Sequence, residues 1–139
     1  MSFPGFSLYH TTKWGIEGFY EAFAPEVEPF GIHTTLVEPG MIRTPFYSNS
    51  LREPENPAYA DNPAITRTDI PLQSMRGDQA KVVAAMIDIA ELERPPRRQL
   101  LGSDAYALVR DALTGRLQEA ESGREIAFTT DVDGFDPGA

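Results

Sequence analysis

Tyr9-His10-Thr11-Thr12-Lys13 is the stretch on which the reading of this chain turns. On a helix, a tyrosine and a lysine four residues apart share one face, one turn from each other. An ammonium group held there favours the phenolate over the phenol. Free tyrosine titrates near ~10, whereas a proton donor or acceptor works best at neutral pH with a value nearer ~7. One lysine does not close that gap, so a bound cationic cofactor or a buried site has to supply the rest.

Outward from that pair, Phe3 to Ser7 reads as a loop rich in turn formers, with Ser7 as the helix N-cap. The helix is expected from about Leu8 to Ala24. Ile16, Phe19, Tyr20 and Phe23 fall three and four apart and predict one buried stripe, with Trp14 at its border as a candidate subunit contact. Pro25 should end or kink the helix, and Pro29 and Gly31 complete the turn. Ile32 to Val37 then reads as a strand for a buried parallel sheet, stopped by Pro39-Gly40. In open α/β sheets ligands sit beyond the carboxyl ends of strands, and Thr44 falls at such a place.

In this order, Tyr9 and Lys13, Pro29-Phe30-Gly31, Ile32 to Val37, Pro39-Gly40 and Thr44, the chain resembles the second half of a short-chain dehydrogenase/reductase. The resemblance spans Phe3 to about Phe46 and is looser beyond. It implies that Tyr9 is the general acid/base and that Lys13 assists it and hydrogen-bonds a nicotinamide ribose. It also implies that the backbone from Pro39 through Gly40 to Ile42, with the Thr44 hydroxyl, holds the nicotinamide carboxamide. The cofactor would be NAD or NADP, and the substrate a small alcohol or carbonyl compound. The family's first half carries a strand and a glycine-rich turn that lays the pyrophosphate on a helix N-terminus. Gly15 and Gly18 lie inside the expected helix and cannot be that turn. The residue that chooses NAD or NADP is also lacking, as are the family's structural asparagine and its catalytic serine. Ser2 and Ser7 stand too close to Tyr9 to replace the serine.

Downstream, residues 45–77 form a long segment with five prolines, of the kind that is usually functional or disordered. In the resembling family it covers the substrate, with Phe46, Tyr47, Leu51 and Tyr59 as apolar candidates and Arg67 and Arg76 as candidates for an anion. Asp78 predicts an N-cap for a helix from Gln79 to Glu91, with Val82, Val83, Met86, Ile87 and Ala90 on one face. Pro95-Pro96 ends it. A strand over Arg97 to Gly102 leads to a helix capped by Ser103 and running to about Ala120. Leu101-Gly102-Ser103 lacks the further glycines of a phosphate loop and reads as a cap. After Leu117 the tail is acidic, with a local charge of −5, and is expected to be solvated or frayed. Asp131 and Asp133 lack the remaining ligands of a calcium loop.

The chain has 139 residues and a net charge of −9. That length suits one domain, and the charge argues against nucleic acid and anionic membrane surfaces as partners. With no cysteine there is no disulfide framework and no thiolate metal site. His10 and His33 lack metal-ligand spacing. No signal peptide or membrane span is read, so a cytoplasmic location is expected.

These readings combine into an α/β fold, the C-terminal half of a Rossmann-like doubly wound parallel sheet without its N-terminal cofactor-binding half. Residues 1–118 would be a partial domain, with 45–77 as its substrate loop, and 119–139 an acidic tail. The resemblance implies a fragment or N-terminally truncated form of an oxidoreductase, inactive alone and homo-oligomeric at full length. The alternative is a short non-catalytic product acting as a dimerisation module. Two strands alone leave an unpaired edge, so the isolated chain should expose a large apolar face.

Overall fold

The computed structural model describes residues 2–50, 56–65 and 70–135. Helix α1 (Ser7–Val27) opens the chain and closes in a 3-10 turn over Glu28–Phe30. Ser7 is its first helical residue, not its cap; Phe6 holds the cap position without a side-chain bond. The cap is replaced by a contact of another kind: the Phe3 N–H donates to His10 Nε2 at 2.9 Å. Pro25 lies inside α1 and does not end it. Its missing N–H removes one bond near the helix end, while the Glu28 N–H still reaches the Ala24 carbonyl. Gly31 then adopts φ 73°, a left-handed conformation suited to glycine, and turns the chain toward the sheet.

Strands β1 (Leu36–Pro39) and β2 (Arg98–Leu101) pair in parallel, Leu36 opposite Arg98 and Pro39 opposite Leu101. Both are shorter than the sequence suggests. The ladder begins at the bond from the Leu36 N–H to the Arg97 carbonyl, 2.9 Å. Just before it, the Thr35 hydroxyl donates to the Pro96 carbonyl at 2.8 Å. At the other end the Gly40 N–H donates to the Leu101 carbonyl at 2.8 Å. Amides of alternate residues face β2, so the Pro39 nitrogen falls on the opposite edge, which is unpaired among the described residues.

A short helix α2 (Phe46–Asn49) follows β1. The segment before α3 (Gln79–Ala90) returns to β1: Ile42 and Gly77 form a parallel bridge, with the Gly77 N–H on the Met41 carbonyl and the Arg43 N–H on the Gly77 carbonyl. Asp78 caps α3 as expected, accepting from the Lys81 N–H at 3.0 Å. After β2 comes α4 (Ser103–Ser122), whose cap position is Gly102 and not Ser103. The helix runs two residues past its expected end near Ala120, and α5 (Arg124–Phe128) adds another turn, so the first part of the acidic tail is helical.

Arg98 fastens α1 to the sheet. Its guanidinium meets Glu17 at 2.7 Å and Glu21 at 3.2 Å on α1, and Glu38 of β1 at 3.4 Å. On the far side Arg116 of α4 lies over the Trp14 ring, 4.3 Å from its centroid. The interior is small: Ala24, Met75 and Ala105 are the fully buried apolar residues among those described. The aromatic stripe of α1 is therefore not buried as anticipated. Ile16 and Phe19 are exposed, and Phe19, Tyr20 and Phe23 pack on one another. The sheet offers too little surface to cover them.

Candidate functional site

Two groups of the sequence-derived site residues stand at separate places in the fold. The first is on the opening turns of α1. Tyr9 and Lys13 share a face as their spacing requires, with Lys13 Nζ 5.6 Å from the centroid of the Tyr9 ring. The tyrosine ring is half exposed and sits edge-on to Phe6 and His10. Thr12 turns inward on the helix, its hydroxyl donating to the Tyr9 carbonyl at 2.8 Å.

The second group is the loop after β1, from Gly40 to Thr44. Its backbone is held on three sides. The Gly40 N–H bonds to Leu101 of β2, and the Met41 N–H donates to Asp104 Oδ2 of α4 at 2.8 Å. The Met41 carbonyl and the Arg43 N–H are taken by Gly77, and Arg43 Nε donates to the carbonyl of buried Met75 at 2.6 Å. The Thr44 N–H turns back onto the Ile42 carbonyl at 2.8 Å. Among the described residues neither the Ile42 N–H nor the Thr44 hydroxyl makes a hydrogen bond. An amide donor and a hydroxyl in one loop at a strand's carboxyl end are the donor types that a carboxamide oxygen can accept from. No hydrogen bond joins this loop to Tyr9 or Lys13 among the described residues.

Asp104, Met75 and Gly77 were not singled out by sequence, although they build the loop's walls. Their one sequence signal was the aspartate following the Gly102-Ser103 turn. Burial works to raise the Asp104 carboxyl, but hydrogen bonding from the Met41 amide, aided by the amides at the start of α4 and by Arg76, holds it below the usual aspartate range. Burial pushes the Glu38 carboxyl up; the Glu17 carboxylate adds to this and Arg98 partly offsets it. Among the substrate-loop candidates Phe46 and Tyr59 are exposed. Leu51, Arg67 and the Tyr47 side chain lie outside the described residues. Among the described residues no group of histidines and acids could hold a metal ion, and no helix is long and apolar enough to cross a membrane.

Comparison with known proteins meets this geometry. The family model for short chain dehydrogenases matches residues 1–55. Oxidoreductase BOA17 of Botryotinia fuckeliana is 30% identical over 91% of this chain and 47% of its own length. An uncharacterized oxidoreductase of Schizosaccharomyces pombe, C162.03, is 29% identical over 96% of this chain and 47% of its own. The crystal structure of a short-chain dehydrogenase from Streptomyces avermitilis superposes with a TM-score of 0.76 at 34% identity, covering 94% of this chain and 48% of that one. The chain thus spans about half the length of the curated relatives it matches. In sequence and in fold it belongs to the short-chain dehydrogenase/reductase family and aligns with the C-terminal portion of the family's longer members.

Proposed function

We propose that the protein carrying this chain is an NAD(P)-dependent oxidoreductase that interconverts an alcohol and a carbonyl. The observation that carries this reading is the Tyr9–Lys13 pair on one face of α1, with the ammonium 5.6 Å from the phenol ring centroid. A bound nicotinamide would take or give the hydride. Tyr9 takes the proton from the substrate oxygen in oxidation and returns it in reduction, so charge and atoms balance at the carbon–oxygen bond. Lys13, one turn from Tyr9 on the same face, would donate to a ribose hydroxyl. Pro39 and Gly40 carry the backbone out of β1, and the Ile42 N–H and Thr44 hydroxyl, without a hydrogen bond among the described residues, are the donors for the carboxamide.

The test uses the intact protein with NADH or NADPH and a panel of aldehydes and ketones. Tyr9→Phe should lower turnover by about 10²–10⁴-fold, the usual contribution of a general acid, while dinucleotide binding persists. Unchanged turnover in that variant would remove Tyr9 from the chemistry.

A further inference from the structure

We propose that Asp104 is a positioning residue for the loop Gly40–Thr44, fixing the Met41 amide so that the Ile42 N–H and the Thr44 hydroxyl face the nicotinamide end of a bound dinucleotide. This rests on the reading of that loop given above. Asp104 is the one side chain from outside the loop that bonds to its backbone among the described residues, through the Met41 N–H at 2.8 Å. A carboxylate acceptor makes that bond charge-assisted, hence shorter and stronger than a neutral one. Its position at the start of α4 favours the negative charge.

The other carboxylate oxygen, Oδ1, is buried and has no hydrogen-bond partner among the described residues. It is packed against two glycines, one from each wall. A Cβ at Gly40 would collide with the Asp104 carboxylate, and one at Gly102 would come within 2.6 Å of Oδ1. Gly102 has φ 118° and ψ 142°, a region essentially confined to glycine. Two residues without side chains, on different strands' ends, thus make room for a single carboxylate that touches both. The strand ends and α4 are locked together at the base of the loop. In the parallel bridge the Met41 carbonyl and the Arg43 N–H both face Gly77, so the Ile42 N–H between them is directed away from Gly77.

Nicotinamide-containing and nicotinamide-free ligands separate this role from a general loss of structure. In the intact protein, binding of NADH is compared with ADP-ribose, and NADPH with 2′-phospho-ADP-ribose. Asp104→Ala should weaken the nicotinamide-containing ligand about tenfold and leave the other within about twofold, the scale of one hydrogen bond to a charged group. Asp104→Asn, which keeps an acceptor for the Met41 N–H, should stay within about threefold of wild type for both ligands. Should Asp104→Ala fail to fold, Asp104→Glu decides, because it keeps the charge but displaces the acceptor by a methylene and should lose the nicotinamide ligand selectively. Equal effects on both ligands, or none, would overturn the role of Asp104. If the wild-type protein binds no dinucleotide at all, the reading of the loop fails, and the role of Asp104 with it.

Discussion

Glu38 carries its charge in a setting that disfavours it, half-buried on β1 beside Glu17 and only 3.4 Å from Arg98. Its folded value is raised, so its contribution to stability is present below the unfolded glutamate value and lost as pH rises through the folded one. Glu38→Gln should therefore melt at or above the wild-type temperature at pH ~7, the difference closing in acid below pH ~4. A variant that melts lower at neutral pH would show that the Arg98 contact outweighs burial and repulsion. Asp104 has the opposite sign: its value is lowered, so its stabilisation is present above the ordinary aspartate range and lost as pH falls through the folded value. The site residues also differ in legibility. Tyr9 and Lys13 could be paired from spacing alone, because helix geometry is local. Asp104 could not, because its partner Met41 lies 63 residues away in sequence and only the parallel pairing of β1 and β2 brings them together.

At the scale of elements, charge fastens α1 to the sheet beside the buried Ala24. Arg98 satisfies two carboxylates of α1 and one of β1 with a single guanidinium. Arg98→Ala would leave Glu17, Glu21 and Glu38 facing one another and should cost about 1–2 kcal/mol of stability, read as a lowered denaturant midpoint with little change in slope. Raised salt should partly restore it by screening the repulsion. An unchanged midpoint at low salt would mean that α1 is held elsewhere, the Arg116–Trp14 contact being the next candidate. Element types were legible from periodicity and capping, as Asp78 shows at α3. Element ends were not. Pro25 stays within α1 because only one helical bond is lost there, and β1 pairs with β2 only from Leu36.

The molecule as a whole exposes 11539 Å² for 15.4 kDa, where a compact monomer of that mass would expose about 7,200 Å². The excess includes Ile16 and Phe19 of α1, and the edge of β1 that is unpaired among the described residues adds exposed backbone groups. Expressed as these 139 residues alone, the chain should self-associate in sedimentation velocity. A monodisperse 15.4 kDa species with a cooperative thermal transition would contradict this. The same exposed face is what a dimerisation module would use, and retained dinucleotide binding separates the enzyme from that alternative.

By itself the sequence determined the helical pairing of Tyr9 with Lys13, the α/β class and the family, because spacing along a helix and the order of strand, turn and loop are written locally. Tertiary structure alone decided which donors of the Gly40–Thr44 loop remain unclaimed and which carboxylate holds it. Those depend on where β2, α4 and residues 75–77 meet the end of β1, and contacts between segments so distant in the chain leave no periodic trace in the sequence.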